Sequence, residues 1–238
     1  MKTEVFRFKQ FEVKHSKSIF KVGTDAVLLG AYVPIPTPCK YSLDIGCGCG
    51  IIALMLAQRS NSQITGVDID TDSVEEAVEN ATNSLWADRI TFVNQSIQSF
   101  CTPEHKHKFD LIVSNPPFFV NSLKSPVYKR TICRHTDTLP FEDLILSADY
   151  CLSPSGLFAL ILPATAKDSI QNLCRNHNLY CKTLLQIKPI ENKPVNRIIL
   201  LFSRQQEDLF IENMSIRNTL MEYTETYRLL TSDFYLDV

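Results

Sequence analysis

The stretch Tyr41-Ser-Leu-Asp44-Ile-Gly46-Cys-Gly48-Cys-Gly50 combines a short apolar run, an acid and three alternating glycines, and the apolar run Ile51–Ala57 follows it directly. This order predicts a buried strand, a tight turn and the start of a helix. Glycine accepts positive φ and has no Cβ, so a ligand can lie against the amides of such a turn, at the positive end of the helix dipole. An ordinary strand–helix turn would also explain the glycines. The carboxylate of Asp44 favours a nucleotide-like ligand with a cationic end.

Size and composition are those of a soluble globular protein, with 238 residues, 45% hydrophobic and 21% charged. An apolar run of about 18 residues or a secretory signal is missing, so we expect a cytoplasmic protein without a membrane span. The net charge of −2 argues against broad polyanion binding. Residues 1–23 nevertheless hold six basic and two acidic side chains, which leaves a local nucleic-acid contact possible.

The eight cysteines and five histidines are dispersed along the chain, and no Cys-x-x-Cys pair occurs. Cys47 and Cys49 lie inside the glycine turn with one residue between them, which is a poor spacing for zinc. We expect reduced cysteines that act as small apolar residues and no bound metal; a metal site is the alternative.

Apolar strands alternate with helices along most of the chain, which predicts an α/β fold with a mostly parallel sheet and helices on both faces. We expect one domain over residues 1–238, with an N-terminal extension of about 38 residues that contains a hairpin and a helix capped by Thr24 or Asp25. A helix is also expected near 223–230. Seven sheet strands are predicted, at residues 41–44, 63–67, 89–93, 109–113, 157–162, 182–188 and 197–202.

The predicted second sheet strand ends at Asp68, 18 residues after Gly50. In dinucleotide folds an acid near this spacing binds the ribose hydroxyls. A helix cap is the other interpretation of Asp68, but Asp70 and Thr71 already serve that purpose. Since ligands of open α/β sheets lie across the carboxyl ends of the strands, we expect Asp68 and the glycine turn to share one pocket.

The pattern Asp-x-Gly-x-Gly-x-Gly resembles the first motif of class I methyltransferases, and Val67-Asp68 resembles their second. The resemblance implies a Rossmann-like fold and S-adenosylmethionine as cofactor. It further implies that Gly46 and Gly48 approach the methionine part, that Asp44 helps to hold it, and that Asp68 binds the ribose; Gly50 is also among the expected cofactor-binding residues. Many members have an acid or amide near the adenine after strand three, where this chain offers Gln95 or Ser96.

The sequence Asn115-Pro116-Pro117-Phe118 follows the predicted fourth sheet strand. Two successive prolines make a stiff turn, which is the plain structural interpretation. The run is similar to the Asn-Pro-Pro-aromatic motif of methyltransferases that act on planar amino groups. The Asn115 side-chain oxygen and the Pro116 carbonyl can each accept an N–H of such a weak nucleophile and orient it. Phe118 provides a face on which a flipped base can stack.

The resemblance covers nearly the whole chain when flanking motifs are included. Lys21-Val-Gly-Thr24-Asp25, Arg134-His135, Leu139-Pro-Phe-Glu-Asp-Leu144 and Phe234-Tyr-Leu236 are similar to the bacterial tRNA1(Val) (adenine(37)-N6)-methyltransferase family. This resemblance implies N6-methylation of adenosine 37, beside the anticodon of a valine tRNA, and adds Thr24 and Ser96 to the cofactor-binding residues. Phe118 stands where many related enzymes have tyrosine.

Basic and aromatic residues lie just beyond the Asn-Pro-Pro motif, and residues 120–134 contain no acid. A solvated loop would have this composition too, but phosphate contacts here would position a tRNA without reading its sequence. We expect the protein to act as a monomer. The predicted RNA-binding residues are Lys124, Tyr128, Lys129, Arg130 and Arg134.

Three alternatives stay open at this point. A glutamine N5-methyltransferase acting on a protein such as a release factor would share Asn115-Pro116-Pro117, although that type usually has a separate helical N-terminal domain. A methyltransferase acting on a base of ribosomal RNA would share it as well. A binding module without catalysis would leave the Asn-Pro pair without a role.

Overall fold

An eight-stranded sheet forms the centre of the computed structural model, which describes residues 5–18, 21–117 and 139–236. A separate two-stranded hairpin precedes it. The strands are β1 Val5–Arg7, β2 Glu12–Lys14, β3 Tyr41–Ile45, β4 Gln63–Asp68, β5 Ile90–Asn94, β6 Phe109–Ser114, β7 Leu152–Pro163, β8 Tyr180–Ile190, β9 Arg197–Ser203 and β10 Phe210–Arg217. The helices are α1 Thr24–Tyr32, α2 Ile51–Arg59, α3 Thr71–Thr82, α4 Ile97–Phe100, α5 Phe141–Cys151, α6 Lys167–Asn176 and α7 Glu225–Thr231, with 3-10 turns at Pro103–His105 and Ala164–Ala166.

The strand order is β10-β8-β9-β7-β6-β3-β4-β5, and in the described part of the sheet only β9 runs antiparallel to its neighbours. The mostly parallel, Rossmann-like α/β fold is therefore confirmed. The sheet has one strand more than the seven predicted, because β10 pairs with the outer side of β8. The chain order reverses between β3 and β6, which is the switch point where open α/β sheets bind ligands.

Alternate residues of the central strands face two separate hydrophobic clusters. Leu111 and Val113 of β6 belong to the cluster that contains α1 and α2, whereas Ile112 packs in the cluster with α5 and α6. Because both faces of the sheet are covered by helices, the central strands are mostly apolar. None of the helices in the described ranges is long and apolar enough to cross a membrane.

The N-terminal extension forms the predicted hairpin, in which Phe6 pairs with Val13. The predicted cap of α1 is wrong: the N-cap is Gly23, and no side chain caps the helix. Thr24 is already the first helical residue, so its hydroxyl is not in the cap position, and the carboxylate of Asp25 instead accepts a hydrogen bond from Arg197 Nε at 2.8 Å. Asp70 caps α3 as expected, accepting from the Ser73 amide at 2.8 Å.

The hairpin contacts the segment that follows α7. The Lys9 amide donates to the Phe234 carbonyl at 2.7 Å. The rings of Phe8 and Tyr235 stack with 5.8 Å between their centroids. Lys9 Nζ also donates to the carbonyl of Ser232, which is 223 positions away in the sequence. The hairpin therefore packs against residues that are more than 220 positions distant along the chain.

Candidate active site

The glycine turn between β3 and α2 has three left-handed residues, with φ of 71° at Gly46, 52° at Gly48 and 82° at Gly50. The Gly46 amide donates to the Val67 carbonyl at 2.8 Å, which joins the turn to the end of β4. The Gly50 amide donates to the Cys47 carbonyl at 2.9 Å. Side chains rarely adopt these φ values, so the backbone geometry requires glycine.

The three glycines differ in what surrounds them. A Cβ added to Gly46 or Gly48 would meet no atom within 4 Å, so both positions border open space. A Cβ on Gly50 would lie 2.6 Å from Cζ of Phe92 on β5. Gly46 and Gly48 therefore offer the close approach that a ligand needs, whereas Gly50 lets the turn pack on the sheet.

Asp44, the next-to-last residue of β3, is completely buried. Neither of its carboxylate oxygens has a hydrogen-bond partner among the described residues. Burial and, secondarily, the charge of Asp68 raise the pKa of Asp44 to about 7, against a smaller lowering by the backbone amide of Ala53, which does not reach hydrogen-bond geometry. A buried carboxyl without partners is unfavourable in the free protein, and a ligand cation would compensate for it. The site therefore fits a ligand with an ammonium group.

Asp68 ends β4 and directs its carboxylate to the glycine turn. Oδ2 accepts from the Gly48 amide at 2.8 Å, and Oδ1 accepts from the Asp70 amide at 2.9 Å. Burial raises the pKa of Asp68, although these two amides act in the opposite direction. A carboxylate has about four lone-pair sites, so two amide donors leave acceptor capacity for ribose hydroxyls.

The end of β5 holds a residue beside Asp68 that the sequence analysis did not single out. Asn94 is in register with Asp68, and its Nδ2 donates to the carbonyls of Asp68 and Ile69, both at 3.1 Å. The sequence indicated this residue only by its position directly before Gln95 and Ser96, the two residues considered for contact with the adenine. Ser96 is the N-cap of the short helix α4, and its Oγ accepts from the Ser99 amide at 3.2 Å. Contact of Ser96 with a cofactor stays a prediction.

Asn115, Pro116 and Pro117 follow β6 directly, on the strand adjacent to β3. Ser114 is in register with Ile45, and its Oγ donates to the Ile45 carbonyl at 2.8 Å. Asn115 is half-buried and Pro116 is buried. Since neighbouring strands lie about 4.8 Å apart, the motif begins next to the glycine turn. The two strongest sequence motifs are therefore brought together.

The remaining predicted site residues are not joined to this site by any contact among the described residues. Thr24 is exposed at the start of α1. Phe118 and the predicted RNA-binding residues Lys124, Tyr128, Lys129, Arg130 and Arg134 lie outside the described residues.

The basic residues near the N-terminus are largely engaged in ion pairs. Arg7 pairs with Glu12 at 2.9 Å, Lys17 pairs with Glu75 at 3.4 Å, and Lys14 pairs with Glu79. These acids offset much of the positive charge that the sequence suggested for an RNA surface. The net positive charge of the hairpin region is therefore smaller than its basic residues alone suggest.

Both cysteines of the turn are buried. Burial raises the pKa of the Cys49 thiol to about 12, and it also raises that of Cys47. These thiols therefore stay protonated and pack as small apolar residues, as predicted. Within residues 5–18, 21–117 and 139–236 no group of three His, Cys, Asp or Glu is placed to hold a metal ion.

Residues 15–169 match the protein family described as the Methyltransferase small domain. A tRNA1(Val) (adenine(37)-N6)-methyltransferase of Bacteroides fragilis is 38% identical over 236 residues, which cover 99% of either chain. A protein of the same name from Phocaeicola vulgatus is 41% identical over 240 residues and the full length of both chains. A solved structure described as an O-methyltransferase from Agrobacterium tumefaciens superposes with a TM-score of 0.70 at 18% identity, covering 88% of this chain and 96% of that one. At this identity the likeness supports the fold alone.

Proposed function

Because the chain belongs to the tRNA1(Val) (adenine(37)-N6)-methyltransferase family, we propose that it methylates N6 of adenosine 37 in a valine tRNA. The chain is an S-adenosylmethionine-dependent methyltransferase. One observation carries the assignment of the site: the unpartnered carboxylate of Asp44 lies at an open glycine turn, and Asn115-Pro116 begins beside that turn on the adjacent strand.

The cofactor-binding residues proposed are those at the ends of β3, β4 and β5. Asp44 pairs with the ammonium group, Gly46 and Gly48 give the methionine part close access to the backbone, and Asp68 accepts the ribose hydroxyls. Gly50 keeps the turn packed. Thr24, at the start of α1, and Ser96, which follows β5, complete the proposed set. When bound, S-adenosylmethionine supplies an electrophilic methyl group on a positively charged sulfur.

Asn115 and Pro116 act on the exocyclic amine of adenine. Its nitrogen lone pair is delocalised into the ring, so it is a weak nucleophile. The Asn115 side-chain oxygen and the Pro116 carbonyl each accept one N–H, which orients the lone pair toward the methyl group. Pro117 stiffens the turn, and Phe118 stacks on the flipped base. The surplus proton leaves after transfer, so a strong general base is not required.

The tRNA itself is held by its phosphates. Lys124, Lys129, Arg130 and Arg134 contact the backbone near the anticodon, and Tyr128 stacks on an unpaired base.

We propose that the chain acts as one domain, as a monomer and in the cytoplasm. The single domain is supported by the hairpin residues Phe8 and Phe11, which belong to the same hydrophobic cluster as α1 and α2.

A methyl-transfer assay tests the substrate. Purified protein is incubated with S-adenosylmethionine carrying a labelled methyl group and with a valine tRNA transcript, followed by digestion to nucleosides. We expect label in N6-methyladenosine only. The matched control is the same transcript with guanosine at position 37, which should stay unlabelled.

Two outcomes would refute the substrate assignment. Label on a protein glutamine, with none on tRNA, would establish the release-factor type of activity. Label on a base of ribosomal RNA in place of tRNA would establish the other alternative. Either enzyme would use the same Asn115-Pro116 pair, so only the identity of the labelled product separates them.

A further inference from the structure

The N-terminal strap, which we define as residues 14–18, is attached to α3 by a buried carboxylate. Glu76 is 2% exposed and accepts five hydrogen bonds from the strap. Oε1 accepts from the Ser16 amide at 2.7 Å, the Ser16 hydroxyl at 3.1 Å and the Lys17 amide at 3.1 Å. Oε2 accepts from the Ser18 amide at 2.9 Å and from the Ser18 hydroxyl.

These donors keep Glu76 ionised although it is buried. Burial acts to raise the pKa of its carboxyl, but the hydrogen bonds from Ser18, Lys17 and Ser16 outweigh burial and the pKa lies below its ordinary value. Hydrogen bonds to a charged acceptor are stronger than neutral ones. The negative charge of Glu76 therefore strengthens the hydrogen bonds that hold the strap to α3.

Asn80 lies one turn further along the same face of α3 and joins the strap to the glycine turn. Its Oδ1 accepts from the Lys14 amide at 2.8 Å. Its Nδ2 donates to the Lys14 carbonyl and to the Cys49 carbonyl, both at 2.9 Å. Asn80 is 3% exposed, so removing its side chain would leave the Cys49 carbonyl, between Gly48 and Gly50, without this buried donor.

From these contacts we infer that Glu76 and Asn80 are positioning residues of the cofactor site, which they control through the strap and the Cys49 carbonyl. The inference rests on the proposed function of the glycine turn. Three glycines give this turn many accessible conformations, and a ligand binds only the fraction with the correct one. Apparent affinity falls in proportion to that fraction. Detachment of the strap therefore weakens cofactor binding without removing any group that touches the cofactor.

The test is Glu76→Gln in the full chain, because glutamine keeps the shape but replaces an acceptor oxygen by an NH₂ group that opposes the Ser18 donors. Glu75→Gln and Glu79→Gln are matched controls, since they remove exposed ion pairs between the same helix and the same strap. Titration calorimetry gives the Kd for S-adenosylmethionine. Hydrogen exchange reports the opening of residues 12–18 and 46–50.

We expect Glu76→Gln and Asn80→Ala to raise the Kd about tenfold, the consequence of one or two lost buried hydrogen bonds, and to speed exchange in both segments. The two control variants should stay within about twofold of the unaltered Kd, as expected for exposed pairs. If Glu76→Gln does not fold, Ser18→Ala replaces it. This variant removes one hydroxyl donor and should raise the Kd about threefold.

Faster exchange of residues 12–18 with an unchanged Kd would overturn the inference, because the strap would then be structural only. A raised Kd with unchanged exchange at 46–50 would overturn it too, since the effect would not pass through the glycine turn. Failure of the unaltered protein to bind S-adenosylmethionine would instead refute the proposed cofactor. Equal binding by the unaltered protein and by Glu76→Gln would refute only the role of Glu76 and would leave the proposed cofactor unaffected.

Discussion

Asp68 Oδ2 lies 2.8 Å from the backbone nitrogen of Gly48, so the carboxylate at the end of β4 holds the turn at the end of β3. The residue proposed to bind ribose therefore also shapes the loop proposed to bind methionine. Substitution at this position affects both parts of the cofactor at once.

We predict that Asp68→Ala weakens cofactor binding by about 1–3 kcal/mol, the range for hydrogen bonds to a charged group. Asp68→Asn keeps one carbonyl oxygen that can accept from Gly48, so it should lose less. Titration calorimetry measures both affinities, and circular dichroism checks the fold. Unchanged affinity of a folded Asp68→Ala protein would remove Asp68 from the site.

The buried carboxyl of Asp44 should make the stability of the cofactor-free protein depend on pH. Its pKa rises from 3.8 to about 7 on folding, so the folded state holds a proton that the unfolded state releases between these values. The free energy of unfolding therefore falls as pH rises through this window, and the loss is complete above pH 7. Asp44→Asn should stabilise the free protein by about 2–4 kcal/mol at pH 8 and by little near pH 4.

Denaturant titrations at the two pH values measure this difference. Asp88→Asn, at an exposed position, is the control and should change neither value. The same Asp44→Asn protein should bind S-adenosylmethionine poorly, since the ammonium group loses its partner. A variant that is less stable than the unaltered chain at pH 8 would contradict the assignment of Asp44 as a destabilising buried acid.

Asn115→Ala should separate binding from catalysis. We expect cofactor affinity within about twofold of the unaltered protein and a methylation rate at least about a hundredfold lower, because the lost interaction forms mainly in the transition state. Single-turnover assays with saturating tRNA measure the rate. Asn192→Ala, at an exposed turn, is the control. Near-normal turnover by Asn115→Ala would exclude the proposed role.

Replacing Lys129 and Arg130 by alanine should weaken tRNA binding and flatten its dependence on salt. Each lost phosphate contact lowers the slope of log K against log salt by about 0.7–0.9. Filter binding across a salt series gives the slope. The double variant Lys106→Ala with Lys108→Ala, before the amino end of β6, should leave it unchanged. An unaltered slope in the first variant would assign the RNA to another surface.

Periodicity and turn chemistry predicted the seven strands from β3 to β9 because these strands contain short, largely apolar runs, such as 157–162 and 198–202, between polar or turn-forming residues. Strand β10 was missed for a physical reason. It pairs on one side only, and Phe210 and Ile211 are exposed, so its sequence of mixed polar and apolar residues lacks a burial pattern.

The chemistry at the strand ends was also predictable, because each motif there is contiguous in sequence. The anchoring of the strap was not. Ser18 and Glu76 are 58 residues apart, and both are polar types that are usually solvated. The role of Asn80 could not be predicted either, since an asparagine within an amphipathic helix gives no indication that it bridges two loops.

The hydrogen bond between Lys9 and Phe234 limits how early the hairpin can reach its final packing during synthesis of the chain. Residues near Lys9 emerge more than 220 positions before their partners, as the 223-residue separation from Ser232 requires. At about 5–20 residues per second, the aromatic side chains of the hairpin wait roughly 10–45 s for the segment that covers them. The nascent chain must keep Phe6 and Phe8 from aggregation throughout that interval, because the hairpin reaches its final packing only after residues 232–235 have been synthesised.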